Sequence, residues 1–147
     1  GAPVGSALAG PIKSITRARR FKQQFGGGFR QAGIIAAGAL HALDHHRRDL
    51  TQDVEHARLL AEGIAGIAGL SIDRDSVQSN IVRFVVTAME AGVFAIRCHE
   101  LGVHMLPNGA HGMRAVTHRD VGREHVITAL GVMASALAAE HAEFPGG

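Results

Sequence analysis

Apolar and polar positions alternate along this chain with two different periods. Small apolar residues over 4–10 predict a short strand that the Gly10-Pro11 pair ends. Ile12, Ile15, Ala18 and Phe21 then recur at helical spacing, predicting a basic helix over residues 12–25. Gly26-Gly27-Gly28 stops it, because consecutive glycines weaken a helix and accept left-handed angles. A second helix is expected over 32–48, with small residues that allow another backbone to come close. Asp49 and Gln52 are spaced as a capping box for a third helix. Val54, Ala57, Leu60, Ala61 and Ile64 mark its buried stripe to about residue 67.

The pattern changes after the glycines at 66–69. Residues 70–73 and 81–86 read as strands, 87–101 as a helix with Ala91, Phe94, Ala95 and Cys98 on one face. A strand over 103–106, a turn at Pro107-Asn108-Gly109, and a strand over 113–117 follow. The last helix is expected over 121–140, capped by Asp120, with Val126, Ile127, Leu130, Met133 and Leu137 facing inward. Strands and helices in this order predict an α/β unit, a small sheet with helices on one face. The expected division is therefore residues 1–67 and 68–147.

Composition narrows the function. The chain has 147 residues, 46% of them hydrophobic, so it can bury a core. Without Trp or Tyr, that core is built from aliphatic residues, alanine and glycine. A net charge of +2 gives no general case for nucleic acid, and the basic run from Thr16 to Lys22 is local. No apolar run is long enough to span a membrane. One cysteine, Cys98, excludes an internal disulfide framework and fits a reducing, cytoplasmic setting.

Two places can carry chemistry. The first is the basic helix with Gly26-Gly27-Gly28-Phe29-Arg30-Gln31: glycines let a chain approach a ligand, and an Arg at a helix start is easiest to explain beside an anion. It is neither a P-loop nor a dinucleotide-binding turn, so a flexible connector is the competing reading. The second is Arg114, on a strand where it alternates with Met113 and Ala115. Its planar guanidinium suits a carboxylate, though an exposed or acid-paired Arg is the plainer account. His41, His45 and His46 cluster without a metal-binding motif, and Cys98 beside His99 falls on the apolar face of its helix, away from any catalytic pairing. Asn80, just before a strand, fits a hydrogen bond at a site edge as well as a turn role, and His118 fits turn hydrogen bonding.

Three stretches carry a family likeness in order and separation. They are Gly1-Ala2-Pro3-Val4-Gly5-Ser6, Arg19-Arg20 through Gly26-Gly27-Gly28-Phe29-Arg30-Gln31-Ala32-Gly33, and Arg114-Ala115-Val116-Thr117-His118-Arg119-Asp120-Val121. The chain resembles the low-specificity L-threonine aldolases and β-eliminating lyases, pyridoxal-phosphate enzymes of the aspartate-aminotransferase-like fold. The resemblance implies that residues 1–67 end the large cofactor domain and 68–147 form the small carboxy-terminal α/β domain. It implies pyridoxal 5'-phosphate as cofactor, carried by a lysine expected just upstream of Gly1. The carboxylate-binding Arg of the family falls on Arg114, and the Arg of its glycine segment on Arg30. A family Lys that reaches the cofactor phosphate of the neighbouring subunit falls on Gln23, with Lys22 beside it. Gln brings a hydrogen bond but no charge.

The activity implied is cleavage of threonine-type β-hydroxy-α-amino acids to glycine and an aldehyde, in a homodimer or homotetramer, with no role for nucleic acid or membrane. The only lysines, Lys13 and Lys22, do not match the cofactor lysine, so the chain alone is expected to be inactive. The alternatives are a β-eliminating lyase or phenylserine aldolase of the same family, or a non-catalytic assembly or binding fragment.

Overall fold

The computed structural model describes residues 2 and 4–138. They form two compact units, divided between Arg48 and Asp49.

The first unit holds helices α1 (Ile12–Gln24) and α2 (Gly33–His45). The apolar stripe of α1 places Ile15 and Ala18 half-buried, and Arg17 lies 5.6 Å from the centroid of the Phe21 ring. The helix ends where the glycines predict. Phe25 is the last turn's cap, Gly26 takes φ 82°, and Gly26 N–H donates to Gln23 O while Gly27 N–H donates to Lys22 O at 2.7 Å. These two bonds form a Schellman cap, which needs a residue free to adopt left-handed angles. Residues 4–10 are not a strand: they run without a ladder partner among the described residues. A strand is defined by pairing, and this unit offers none. No described residue of the first unit is buried. In α2, Ile34, Leu40 and Leu43 are 84%, 59% and 62% exposed.

The second unit holds the core. Its sheet comprises β1 (Leu70–Ser71), β2 (Ile81–Val86), β3 (Leu106–Pro107) and β4 (Gly112–Val116), antiparallel throughout in the order β1-β2-β4-β3. Helices α3 (Leu50–Ala65), α4 (Ala91–Glu100) and α5 (Arg123–Ala138) cover one face. Period-2 alternation sends Val82, Phe84, Val86, Met113 and Ala115 toward the helices. There they meet Ala57, Leu60 and Ile64 of α3, Phe94 and Cys98 of α4, and Val126 and Met133 of α5. Phe84 and Phe94 pack edge to face, centroids 6.3 Å apart. Gly63 lets α3 and α5 close up, since a Cβ there would strike Leu130.

By contacts, the two units divide one helix before the glycines at 66–69: the stripe of α3 packs into the sheet's core, and Gly69, at φ 92°, is a turn inside that unit. Several other expectations are corrected. Asp49 makes no side-chain cap and Gln52 completes no capping box: Asp49 ends a 3-10 turn (Arg47–Asp49) already at helical angles. Thr87 N–H bonds Gly69 O, so the sheet edge delays α4 to Ala91. The expected strand at 103–106 is shifted to Leu106–Pro107, because Val103 N–H closes α4 on Cys98 O. Asp120 does not cap α5. That helix starts at Arg123, and Gly122 N–H donates to His125 Nδ1 at 3.0 Å. Ile127 is 55% exposed, and Ala136 takes the inward place instead. The last two residues expected in that helix, and residues 141–147, lie outside the described residues.

Candidate functional site

Arg114 sits in the middle of β4, on the face of the sheet opposite the helices. Its neighbours Met113 and Ala115 are buried, so alternation turns Arg114 outward, where it is half-buried. Across the ladder its register partners are Arg83 on β2 and Leu106 on β3. Among the described residues, Arg114 makes no ion pair and no side-chain hydrogen bond. Of the two plainer accounts, an acid-paired Arg finds no partner among the described residues, while a solvent-facing Arg agrees with its half-buried place on the open face of the sheet. Like charges directly opposite each other on a sheet are destabilising. The chain carries that cost at Arg83 and Arg114.

The end of β4 is fixed by a buried clip. Thr117, 2% exposed, donates its hydroxyl to Asp53 O of α3 at 2.7 Å. Its N–H donates to Asn80 O at 3.0 Å, and Asn80 Nδ2 donates to Thr117 O at 2.7 Å. Asn80 thus ties the start of β2 to the end of β4. His118 does the turn bonding expected of it: its carbonyl accepts from Val121 N–H at 2.7 Å, and its ring nitrogen lies 3.7 Å from the Asp120 carboxylate.

The first unit gathers Lys22, Gln23 and the glycines at the end of α1. Lys22 lends its carbonyl to Gly27, and a Cβ on Gly27 would stand 2.8 Å from Lys22 Cγ. A Cβ on Gly28 would fall on the Gln23 amide, so the amide lies against that glycine's backbone. Arg30 follows two residues later, exposed, before α2 begins at Gly33. Residues 1–43 carry Lys13, Arg17, Arg19, Arg20, Lys22 and Arg30 and not one Asp or Glu. Such a field suits an anionic group of phosphate type. The charge fits the phosphate of the expected cofactor, while the N–H groups of Gly26 and Gly27 are already engaged in the cap of α1. Neither lysine replaces the one that would carry it.

Burial pushes the Cys98 thiol up to about 11, so it stays protonated in the core. His41 stacks with His45 and His46, yet no group of three ligands able to hold a metal exists among the described residues. Two residues escaped the sequence reading. His56 is buried on α3 with Nδ1 unpartnered, and its spacing before Ala57 and Leu60 could have placed it on the apolar stripe. Arg83 required the strand register, which no local pattern supplies.

Residues 1–87 match the family model described as β-eliminating lyase. The chain belongs to the low-specificity threonine aldolase and β-eliminating lyase family. It is 36% identical over 136 residues to a probable low-specificity L-threonine aldolase 2 of Arabidopsis thaliana, covering 87% of this chain and 38% of that protein. It is 35% identical over 126 residues to the low specificity L-threonine aldolase of Escherichia coli K12, covering 86% of this chain and 36% of that protein. The chain therefore spans little more than a third of these relatives. Among solved structures, MppP soaked with the product 2-ketoarginine shares the fold at a TM-score of 0.55 and 20% identity, over 71% of this chain and 32% of that one. The expected mixed α/β architecture of this fold class is what the sheet and its helices form.

Proposed function

We propose that this chain supplies the substrate-carboxylate clamp and some of the cofactor-phosphate contacts of a pyridoxal-phosphate-dependent aldehyde lyase. The reaction is cleavage of threonine-type β-hydroxy-α-amino acids to glycine and an aldehyde. One observation carries the reading: Arg114 projects, half-buried and without an acidic partner among the described residues, from the open face of the sheet.

Pyridoxal phosphate, when bound, supplies the electron sink for the bond that breaks. Arg30, Lys22 and Gln23 are the residues of this chain that would hold its phosphate. Gln23 offers a hydrogen bond where a charge would bind more tightly, so Lys22 and Arg30 carry the electrostatic share. Arg114 does the orienting. Its fork donates two parallel hydrogen bonds to the substrate's α-carboxylate, which fixes rotation about the Cα and holds the Cα–Cβ bond in one direction. On this reading Arg114 is the one catalytic residue the chain provides, and the cofactor lysine belongs to sequence ahead of Gly1. The chain alone is then inactive. The exposed apolar residues of α2 support burial against further protein in a homodimer or homotetramer. Among the described residues no helix is long and apolar enough to cross a membrane. We place the enzyme in the cytoplasm, in keeping with a single reduced cysteine.

The test uses the full-length enzyme and the variants Arg114→Ala and Arg114→Lys. A charge-assisted hydrogen bond is worth about 1.5–3 kcal/mol, so Arg114→Ala should lower turnover of threonine roughly ten- to a hundredfold. Arg114→Lys, which keeps charge without the fork, should recover only a fraction of the loss. Wild-type activity in Arg114→Ala removes the residue from the site. A panel of threonine, phenylserine and a β-leaving-group amino acid separates the aldolase from its family alternatives.

A further inference from the structure

Arg83 was not among the residues the family likeness points to, yet the sheet places it directly opposite Arg114. The two Cα atoms are register partners on β2 and β4, and both side chains leave the sheet on the face away from the helices. Around them that face is apolar: Ile81, Val85, Leu106 and Val116 are each more than a third exposed and bring no countercharge. Among the described residues Arg83, like Arg114, has no ion pair. Two unneutralised guanidiniums facing each other from adjacent strands make a site for two negative charges, not one.

We propose that Arg83 is a specificity-determining residue that binds a second acid group of the substrate, making a β-hydroxy dicarboxylic amino acid of the hydroxyaspartate type a preferred substrate class. The inference rests on the assignment of Arg114 to the α-carboxylate. With that group held by Arg114, a carboxylate on the β-carbon lies one short step along the same row, toward the neighbouring strand and Arg83. A methyl group at the same place, as in threonine, meets the cation without pairing with it. Long Arg side chains reach across adjacent strands, so the two forks can be filled by acid groups on adjacent carbons.

The experiment measures kcat/KM for β-hydroxyaspartate and for threonine in the full-length enzyme and in Arg83→Gln, Arg83→Lys and Arg114→Gln. The expected result is that Arg83→Gln lowers the ratio of β-hydroxyaspartate to threonine about ten- to a hundredfold, the range of one charge-assisted hydrogen bond. Arg83→Lys should return a fraction of that ratio. A ratio unchanged in Arg83→Gln, or both substrates falling in equal proportion, overturns the proposal: Arg83 would then be solvated, or would serve the α-carboxylate itself. Arg114→Gln reads the underlying assignment separately. If it retains both substrates, the Arg114 reading fails and this inference with it; if it loses both while the Arg83→Gln ratio stays put, only the inference fails. Circular dichroism of each variant separates loss of fold from loss of binding.

Discussion

Thr117 joins the strand that carries Arg114 to helix α3, and its hydroxyl gives a measurable handle on that joint. Thr117→Val keeps the shape and removes the donor. The Asp53 carbonyl then loses a 2.7 Å hydrogen bond from a side chain that is 2% exposed. Leaving a buried acceptor unmet costs about 1–3 kcal/mol. Here the low end applies, because a carbonyl inside a helix keeps its bond from the residue four positions on. The second contact of the same hydroxyl, to Asn80 O at 3.4 Å, is too long to add much. We therefore expect about 1 kcal/mol of destabilisation. Thr117→Ala removes a buried methyl as well and should cost about 0.8 kcal/mol more. With no Trp or Tyr in the chain, the assay is urea denaturation followed by far-ultraviolet circular dichroism. At a slope of about 1–3 kcal/mol/M for a small domain, the midpoint of Thr117→Val should fall by roughly 0.3–1 M. A Thr117→Val protein as stable as the wild type, or more so, would refute the clip as a stabilising element. It would also show that the β2–β4 ladder and the Asn80 bonds to the Thr117 backbone hold the end of β4 without the hydroxyl.

Two further outcomes follow from packing and titration. Gly63→Ala gains about 1 kcal/mol of helix propensity, but its Cβ meets Leu130, and overpacking costs about 1–3 kcal/mol. The variant should be less stable in the same urea assay, and Gly63→Ala with Leu130→Ala should lose less than the two single losses added together. Cys98 is raised by burial from its ordinary 9.0 to about 11, so the folded state holds its proton longer than the unfolded one. Between about pH 9 and 11 the unfolded chain loses that proton while the native chain keeps it, and stability falls as pH rises through that window. Cys98→Ala should flatten that stretch of the stability-versus-pH curve, and native protein should resist iodoacetamide that labels it readily in urea.

The helices and the inner face of the sheet were legible because burial imposes a period. Ala57, Leu60, Ala61 and Ile64 announce α3, and the strand at Ile81–Val86 was read to the residue from a run of β-branched and aromatic residues, its alternation showing only in the burial of Val82, Phe84 and Val86. The glycine stop at Gly26 was legible because only left-handed angles complete that cap. What failed depended on partners outside the local window. Residues 4–10 have strand composition but no ladder among the described residues, and the two-residue β3 is defined by Arg114 and Met113 opposite it. The caps assigned to Asp49 and Asp120 had the right residue type away from the right backbone position. At the candidate site the Arg114 position was legible from alternation and family likeness together. Arg83 was not, since register between strands far apart in sequence leaves no trace in either strand alone.

Register also explains why the site is as dependable as the core. Side chains in a strand change faces at every residue, so a one-residue slip of β4 would drive Arg114 in among Phe84, Phe94 and Met133 while exposing Met113 and Ala115. Burying an unpaired guanidinium costs several kcal/mol, and the slip would forfeit the burial of two hydrophobic side chains besides. The hydrophobic demand that fills the inner face therefore fixes the outward aim of Arg114 without any contact devoted to it. Arg83 is held by the same argument, through Val82 and Phe84 on either side. Two cations are kept face to face because their neighbours in sequence belong to the core. Their repulsion is tolerated because it is small beside the cost of either strand shifting, and it becomes an attraction for whatever anion enters between them.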